Sequence, residues 1–243
     1  MEWFHDVSNL LQQTDKVYER LVALDKPDKL TLTKEKIYSE RSWESVKSLI
    51  EPNFEAELSK LKFFYIPKVF QPGPCFVFPL FDVENLPKRA QTRPMEGSIL
   101  FNEKNKYYML GDKDQFLGPS WIGNDVDTIQ KLLETQSIIL VEGGFDLLAC
   151  RLLAPELPIM STTTNKVGKK HVLWLKMLGV KNIYLLFDNE RSDKGNQAMN
   201  FLQRDLKEFN VEIILQAGAE DPSSSLHSMI SARKFRTLLK GIL

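Results

Sequence analysis

The chain has 243 residues, of which 43% are hydrophobic and 26% charged, a composition typical of a folded globular protein and not of a disordered chain. Basic and acidic residues each total 32, so the net charge is zero and nucleic-acid binding would require a local basic patch or bound metal. The two cysteines, Cys75 and Cys150, are too few for a zinc finger and predict a reducing, cytoplasmic compartment. No segment resembles a signal peptide or approaches the roughly 20 apolar residues of a membrane span.

The N-terminal quarter of the chain, residues 1–62, is predicted to be helical. Apolar residues recur there at three-to-four spacing in VSNLLQQTDKVYERLVAL and SWESVKSLIEPNFEAELSKLKFF. The stretch LTLTKEKIYSE between them is compatible with either helix or strand. Residues 63–134 differ, because CFVFPLFDV, GSILFN and KYYML are short β-rich runs separated by proline, glycine and charged turns. They predict a mixed α+β subdomain.

Strands and helices alternate from residue 135 onward. The predicted strands are SIILV, LPIM, KNIYLLF and VEIILQ, and the predicted helices are GGFDLLACRLLA, KKHVLWLKMLG and NQAMNFLQRDLKEF. Such alternation indicates βαβ units, and therefore a small parallel sheet flanked by helices over residues 135–225. Residues 226–243 are predicted to form a C-terminal helical tail.

Acidic residues follow two of the predicted parallel strands. Glu142 follows the first strand, whereas Asp188 ends the third strand and Glu190 comes two residues later. Since parallel strands present their carboxyl ends at one edge, these acids should lie close together if the two strands are neighbours. Carboxylates that converge in this way need a cation, and oxygen ligands favour Mg²⁺ or Mn²⁺. Asp146 either joins this site or is a first-turn acid favoured by the helix dipole.

The segments IILVEGGFD and YLLFDNE resemble the Toprim domain, in which a glutamate follows one hydrophobic strand and an Asp-x-Asp pair follows a later one. Bacterial-type DNA primases, type IA and type II topoisomerases, RecR-like recombination proteins and some nucleases share that domain. Glu190 departs from the pattern, because the family has aspartate there. The segment RSDKGNQA after the acidic pair is also longer than its counterpart in primases.

Within that superfamily the chain is most similar to the catalytic core of bacterial and phage-type primases. The similar segments are EGGFDLLA, AEDPSSSL and, upstream, FVFPLFDVENLPKRAQTRPM followed by KYYML. The resemblance implies an α/β Toprim domain packed with an N-terminal mixed α+β subdomain. The implied metal ligands are Glu142, Asp146, Asp188, Glu190 and Asp221. Of these, the implied catalytic residues are Glu142, Asp188 and Glu190.

Basic residues are the candidates for holding nucleic acid or nucleoside triphosphate. On the resemblance and on local charge, these candidates are Lys88, Arg89, Arg93, Lys106 and Lys166. A cluster such as PKRAQTR also fits a solvated turn, and the lysines that begin with Lys166 also fit a solvated helix start.

The function implied by the resemblance is synthesis of short RNA primers on single-stranded DNA from ribonucleoside triphosphates, with Mg²⁺ or Mn²⁺ as cofactor. Neither a zinc-binding domain nor the GxxxxGK[ST] motif of a helicase is found in the sequence. This pattern fits a phage or mobile-element core in the bacterial cytoplasm that works with a replicative helicase or another replisome protein. Two alternatives remain open: a Toprim nuclease that uses the same acids to cleave, and a non-catalytic nucleic-acid-binding module.

Overall fold

The computed structural model describes residues 29–67, 73–81, 87–102, 106–110, 121–164, 167–187, 204, 206–214 and 221–243. These belong to two compact units. The first comprises Met1–Glu40 and Leu58–Ser120, and the second comprises Arg41–Glu57 and Trp121–Leu243. The helix predicted in VSNLLQQTDKVYERLVAL and most of the one predicted in NQAMNFLQRDLKEF lie outside the described residues. The domain boundaries predicted from the sequence stay predictions.

Between residues 29 and 110, the described part of the chain is helical first and β-rich afterwards. In chain order its elements are α1 (Lys29–Arg41), an N-terminal 3₁₀ helix (Trp43–Val46), α2 (Lys47–Leu61), β1 (Phe64–Ile66), β2 (Cys75–Phe81), β3 (Pro87–Pro94) and β4 (Tyr108–Leu110). The ambiguous stretch LTLTKEKIYSE is therefore helical, within α1.

The first unit contains a four-stranded antiparallel sheet with strand order β1-β2-β3-β4. Its small apolar core is made by alternate residues of the strands, namely Phe64, Ile66, Cys75, Val77, Ala90 and Leu110. Burial raises the pKa of the Cys75 thiol to about 12, so this cysteine is a neutral core residue.

One predicted β-rich run in this unit is wrong, because GSILFN forms turns over residues 96–101. Gly97 has a φ of +88°, which glycine adopts without strain. The Ser98 hydroxyl then accepts a hydrogen bond from the Leu100 amide at 3.2 Å, and the Phe101 amide donates to the Ser98 carbonyl at 3.0 Å. These local bonds satisfy the backbone without a partner strand.

The second unit has an alternating order of strands and helices. It includes the N-terminal 3₁₀ helix and α2 as far as Glu57. Its further elements are α3 (Val126–Thr135), β5 (Ser137–Val141), α4 (Gly144–Leu153), β6 (Ile159–Ser161), α5 (Lys169–Met177), β7 (Asn182–Leu185), β8 (Asn210–Ile213), a C-terminal 3₁₀ helix (Ser223–His227) and α6 (Met229–Lys240). The strands form one parallel sheet in the order β6-β5-β7-β8. The predicted small parallel sheet flanked by helices is confirmed.

The core of the second unit lies against this sheet. Every residue of β5 is buried, as expected for a central parallel strand covered on both faces. The main core cluster consists of Trp121, Leu132, Ile138, Leu140, Met160, Val167, Leu175, Val180, Ile183, Leu185, Phe187 and Leu206. No described helix is both long and apolar enough to cross a membrane.

A buried ion-pair network joins three helices of the second unit. Arg151, at the end of α4, is 1% exposed. Its Nε donates to Glu57 Oε2 at 2.6 Å, and its Nη1 donates to Asp125 Oδ2 at 2.6 Å. Asp125 also caps α3 by accepting a hydrogen bond from the Thr128 amide at 3.2 Å. The network therefore fixes α2 and the N-terminus of α3 on α4.

Candidate functional site

The carboxyl edge of the parallel sheet contains the first predicted acid. β5 and β7 are adjacent and parallel, with Leu140 opposite Leu185, and the Leu186 amide donates to the Leu140 carbonyl at 2.9 Å. Glu142 follows β5 directly, and Phe187 is the last described residue before Asp188. The two strands are thus neighbours, which was the condition for these acids to converge. Asp188 and Glu190 themselves lie outside the described residues.

The turn that contains Glu142 is fastened to the neighbouring strand β6. The Ser161 hydroxyl donates to the Glu142 carbonyl at 2.9 Å, and the Thr162 amide donates to the Val141 carbonyl at 3.0 Å. The Glu142 side chain is half-buried. The backbone at this strand end is consequently held from the β6 side before it enters α4.

Asp146 lies in the first turn of α4, as predicted, and is 8% exposed. Its Oδ2 accepts a hydrogen bond from the Gly143 amide at 3.2 Å, and its Oδ1 accepts one from the Ser223 amide at 3.1 Å. The residue therefore caps the helix and also ties it to the C-terminal 3₁₀ helix. Each carboxylate oxygen has a second lone pair, so these bonds leave Asp146 able to bind a cation.

Asp221 lies two residues before Ser223, the first residue of the C-terminal 3₁₀ helix. Its Oδ1 accepts hydrogen bonds from the Ser224 amide at 2.6 Å and from the Ser223 hydroxyl at 2.9 Å. Because Ser223 also donates to Asp146, this one serine bonds to two of the predicted metal ligands. The structure therefore links Asp146 and Asp221 through Ser223, an association that spacing along the chain does not reveal.

The donor set at this edge suits a hard divalent cation, since Glu142, Asp146 and Asp221 all offer carboxylate oxygens. Among the described residues, however, no group of three or more His, Cys, Asp or Glu side chains is placed to hold a metal ion. The predicted set also includes Asp188 and Glu190, which are not described. The described residues therefore fit the chemistry of a magnesium site without completing it.

The basic cluster PKRAQTR lies in strand β3 and not in a solvated turn. Arg89, Gln91 and Arg93 occupy alternate positions, so they share one face of the strand. Arg89 is only 9% exposed, whereas Arg93 is half-buried with its guanidinium 4.9 Å from the centre of the Tyr107 ring. The partner strands supply the hydrogen bonds that make this polar segment extended.

The remaining predicted basic contacts are less completely described. Lys106 is exposed. Lys88 lies in β3 beside a register shift opposite Leu80 and Phe81, but its side chain is outside the described part of the chain, as is Lys166.

A basic groove in the second unit was missed by the sequence analysis. It has a volume of about 670 Å³, and its charged lining residues are Lys169, Lys176, Arg204, Lys207 and Glu208. Lys176 forms an ion pair with Glu208, and its hydrogen bond and charge lower the pKa of that carboxyl. Lys169 belongs to the group of lysines that begins with Lys166, but the other cations come from the end of α5 and from the segment before β8, so spacing along the chain does not connect them with it.

Comparison with the sequences of known proteins gives a partial match. No family model matches the chain. An uncharacterized protein of Mycoplasma genitalium is 35% identical over 94 residues, which are 37% of this chain and 41% of that protein. The match therefore extends over less than half of the relative's length.

Two solved structures of primases share the architecture. The zinc-binding and RNA polymerase domains of the Aquifex aeolicus primase match with a TM-score of 0.56 and 21% identity, over 81% of this chain and 48% of that one. A DnaG primase catalytic domain bound to single-stranded DNA matches with a TM-score of 0.57 and 14% identity, over 95% and 80% of the two chains. The chain therefore has the mixed α/β fold of DNA primase catalytic cores, and it spans about half of the Aquifex chain.

Proposed function

We propose that the protein is a DNA primase-like catalytic core that synthesises short RNA primers on single-stranded DNA by metal-dependent nucleotidyl transfer. In this proposal the parallel-sheet unit is a Toprim domain. The observation that carries the proposal is the parallel pairing of β5 with β7 in a fold shared with primase catalytic cores. That pairing supports a shared site for Glu142, which follows β5, and for the Asp188 and Glu190 pair that follows β7.

The 3′-hydroxyl of one nucleotide attacks the α-phosphate of the next nucleoside triphosphate, the bond between its α- and β-phosphates breaks, and pyrophosphate leaves. The protein therefore has to position its reactants and neutralise charge. Glu142, Asp188 and Glu190 are the proposed catalytic carboxylates, and they would hold Mg²⁺ or Mn²⁺ together with Asp146 and Asp221. When bound, the cation supplies positive charge to the phosphoryl oxygens and makes the hydroxyl more acidic. The hydrogen bonds of Asp146 and Asp221 to the serine between them support a fixed geometry for that pair.

Basic residues would hold the template and the triphosphates. One similar structure is a primase catalytic domain bound to single-stranded DNA, which supports that template class for this chain. The proposed contacts, made by charge-assisted hydrogen bonds, are Lys88, Arg89, Arg93, Lys106 and Lys166. Exposed Lys106 and half-buried Arg93 are accessible to phosphate, whereas Arg89 is only 9% exposed. A replicative helicase or another replisome protein is the proposed partner, and a phage or mobile element the proposed source.

The decisive test is primer synthesis on single-stranded DNA with labelled ribonucleotides and Mg²⁺ or Mn²⁺. We expect Asp188→Ala to lower the rate at least about 100-fold, since it removes electrostatic stabilisation at the reacting phosphate. Glu134→Ala, at an exposed acid of α3, is the matched control and should leave the rate unchanged.

The other outcomes separate the alternatives. Absence of any oligoribonucleotide from the wild type, with and without helicase, would refute primer synthesis. Metal-dependent degradation of labelled DNA or RNA would favour the nuclease. Binding of single-stranded DNA with neither activity would favour the non-catalytic module.

A further inference from the structure

The N-terminal 3₁₀ helix holds the C-terminal one within the second unit. Trp43 is fully buried, and its indole Nε1 donates to the Ser223 carbonyl at 3.2 Å. The Ser45 hydroxyl donates to the His227 carbonyl at 3.1 Å. These two bonds attach the first and last residues of the C-terminal 3₁₀ helix to a segment about 180 positions earlier in the chain.

Arg41, the last residue of α1, contacts the same serine from another direction. Its Nη2 donates to the Ser223 hydroxyl oxygen at 2.5 Å. Its guanidinium lies 4.7 Å from the centre of the Phe145 ring, and the same ring meets Trp43 edge-on with centroids 6.4 Å apart. Phe145 directly precedes Asp146 in α4, so Arg41 and Trp43 contact the helix that carries Asp146 and also the 3₁₀ helix that follows Asp221.

The bond from Arg41 determines which way the Ser223 hydroxyl points. A guanidinium is only a donor, so the serine oxygen has to accept from it. The serine proton is then directed to Asp221 Oδ1, 2.9 Å away. The Ser223 amide meanwhile donates to Asp146 Oδ1 at 3.1 Å. Through one residue, Arg41 and Trp43 therefore fix the orientation of two carboxylates.

We propose that Arg41 and Trp43 are positioning residues that hold Asp146 and Asp221, by way of Ser223, in the arrangement that binds the divalent cation. This role rests on the proposed function. It assigns a task to part of the predicted helical region 1–62 for which the sequence suggested none. Groups that orient metal ligands typically contribute about 10- to 100-fold to metal affinity.

The direction in which Mn²⁺ affinity changes when Arg41 is replaced distinguishes a positioning role from a purely electrostatic one. Arg41 is a cation close to two carboxylates, so its charge alone opposes the binding of a second cation. Removing it would then strengthen Mn²⁺ binding. If Arg41 acts by orienting the carboxylates, its removal weakens binding instead. Trp43 carries no charge, so Trp43→Phe tests the positioning effect without any electrostatic change.

The experiment is a titration of the full chain with Mn²⁺, in which electron paramagnetic resonance gives the Mn²⁺ dissociation constant. Each variant is first shown to be folded by a denaturation experiment. We expect Arg41→Met and Trp43→Phe each to raise the Mn²⁺ dissociation constant about tenfold, with Arg41→Lys in between. Arg233→Met, at an exposed arginine of α6, removes the same charge and should change it by less than about twofold.

A double-mutant cycle tests the route through the serine. In a Ser223→Ala background, Arg41→Met should alter the dissociation constant by less than about twofold, because the shared hydroxyl is already gone. If wild type binds Mn²⁺ and the variants of Arg41 and Trp43 bind it equally well or more tightly, the positioning role is refuted while the proposed function stands. If wild type shows no Mn²⁺ binding that Asp188→Ala abolishes, the metal site and the positioning role are both refuted.

Discussion

Arg151 forms ion pairs with both carboxylates of the network that joins α2, α3 and α4. Its side chain and that of Glu57 are each 1% exposed, and the Asp125 side chain is 17% exposed. Removing water from such groups costs several kcal/mol per ion, and the direct hydrogen bonds between them offset that cost only while every partner is present. Loss of Arg151 would take away the cation with which the buried Glu57 carboxylate forms its ion pair.

We expect Arg151→Met to lower the free energy of unfolding by about 3 to 5 kcal/mol, because Glu57 then keeps a buried charge without its cation. Adding Glu57→Leu should restore part of the loss. Chemical denaturation monitored by tryptophan fluorescence gives both values. Arg233→Met is the exposed control, with an expected change within about 0.5 kcal/mol. A change of the same size at Arg151 would mean that the network contributes nothing to stability.

His171 is a half-buried histidine at the start of α5. Its ring stacks on Trp121 with centroids 5.1 Å apart, and its Nδ1 accepts a hydrogen bond from the Gly168 amide at 2.9 Å. Burial lowers the pKa of His171 from 6.5 to about 4. The unfolded chain consequently takes up a proton at a higher pH than the folded protein does.

The stabilisation that comes from neutral His171 should be complete above pH 6.5 and should be lost as pH falls from there through 4. The loss amounts to roughly 3 kcal/mol when fully expressed, and His171→Asn should remove this part of the acid sensitivity. The measurement is the free energy of unfolding at several pH values between 4 and 7.5. His227→Asn, at an exposed histidine, is the control. An identical acid slope for wild type and His171→Asn would contradict the prediction.

The turn before α3 has to pass close to β6 and α4. Gly123 has a φ of +90°, and a Cβ there would lie 3.2 Å from the Ile159 carbonyl oxygen and 3.0 Å from Leu147 Cδ2. Gly179, in the turn after α5, has a φ of +70° but nothing within 4 Å of such a Cβ. The two glycines therefore separate backbone strain from close packing.

We expect Gly179→Ala to cost about 1 kcal/mol from backbone strain alone. Gly123→Ala should cost at least about 1 kcal/mol more, because the added methyl group also contacts a backbone carbonyl that cannot move freely. Urea denaturation of both variants gives the difference. Equal costs would show that the packing around Gly123 relaxes without penalty.

The strands differ in how well local pattern predicted them. β5 and β7 are apolar runs bounded by turn residues, so the sequence was sufficient to predict them. β3 is polar at Arg89, Gln91 and Arg93 and apolar only at Ala90, so its pattern gave no strand signal. It is extended because β2 and β4 supply its hydrogen bonds from both sides. GSILFN shows the reverse, since its apolar residues have local hydrogen bonds in place of a partner strand.

The zero net charge of the whole chain predicts that nucleic-acid binding depends on a few local cations. Each phosphate contact to a single strand contributes about 0.7 to the slope of log affinity against log salt concentration. We expect Lys106→Ala with Lys166→Ala to reduce the slope for single-stranded DNA by about 1.4. Fluorescence anisotropy at several salt concentrations measures it. The control pair is Lys47→Ala with Lys234→Ala, two exposed lysines outside the proposed contacts, and an equal reduction by that pair would refute the assignment.

Some properties of this protein follow from local sequence because they depend on neighbours in the chain. The parallel strands, the glycine turn after Glu142 and the position of Asp146 in the first turn of α4 are of this kind. Other properties depend on residues far apart in the chain. They are the pairing of β5 with β7, the bonds of Ser223 to Asp146 and Asp221, and the hydrogen bonds that Arg41 and Trp43 make to Ser223. Those contacts join residues up to 182 positions apart, and only strand order and side-chain packing bring them together.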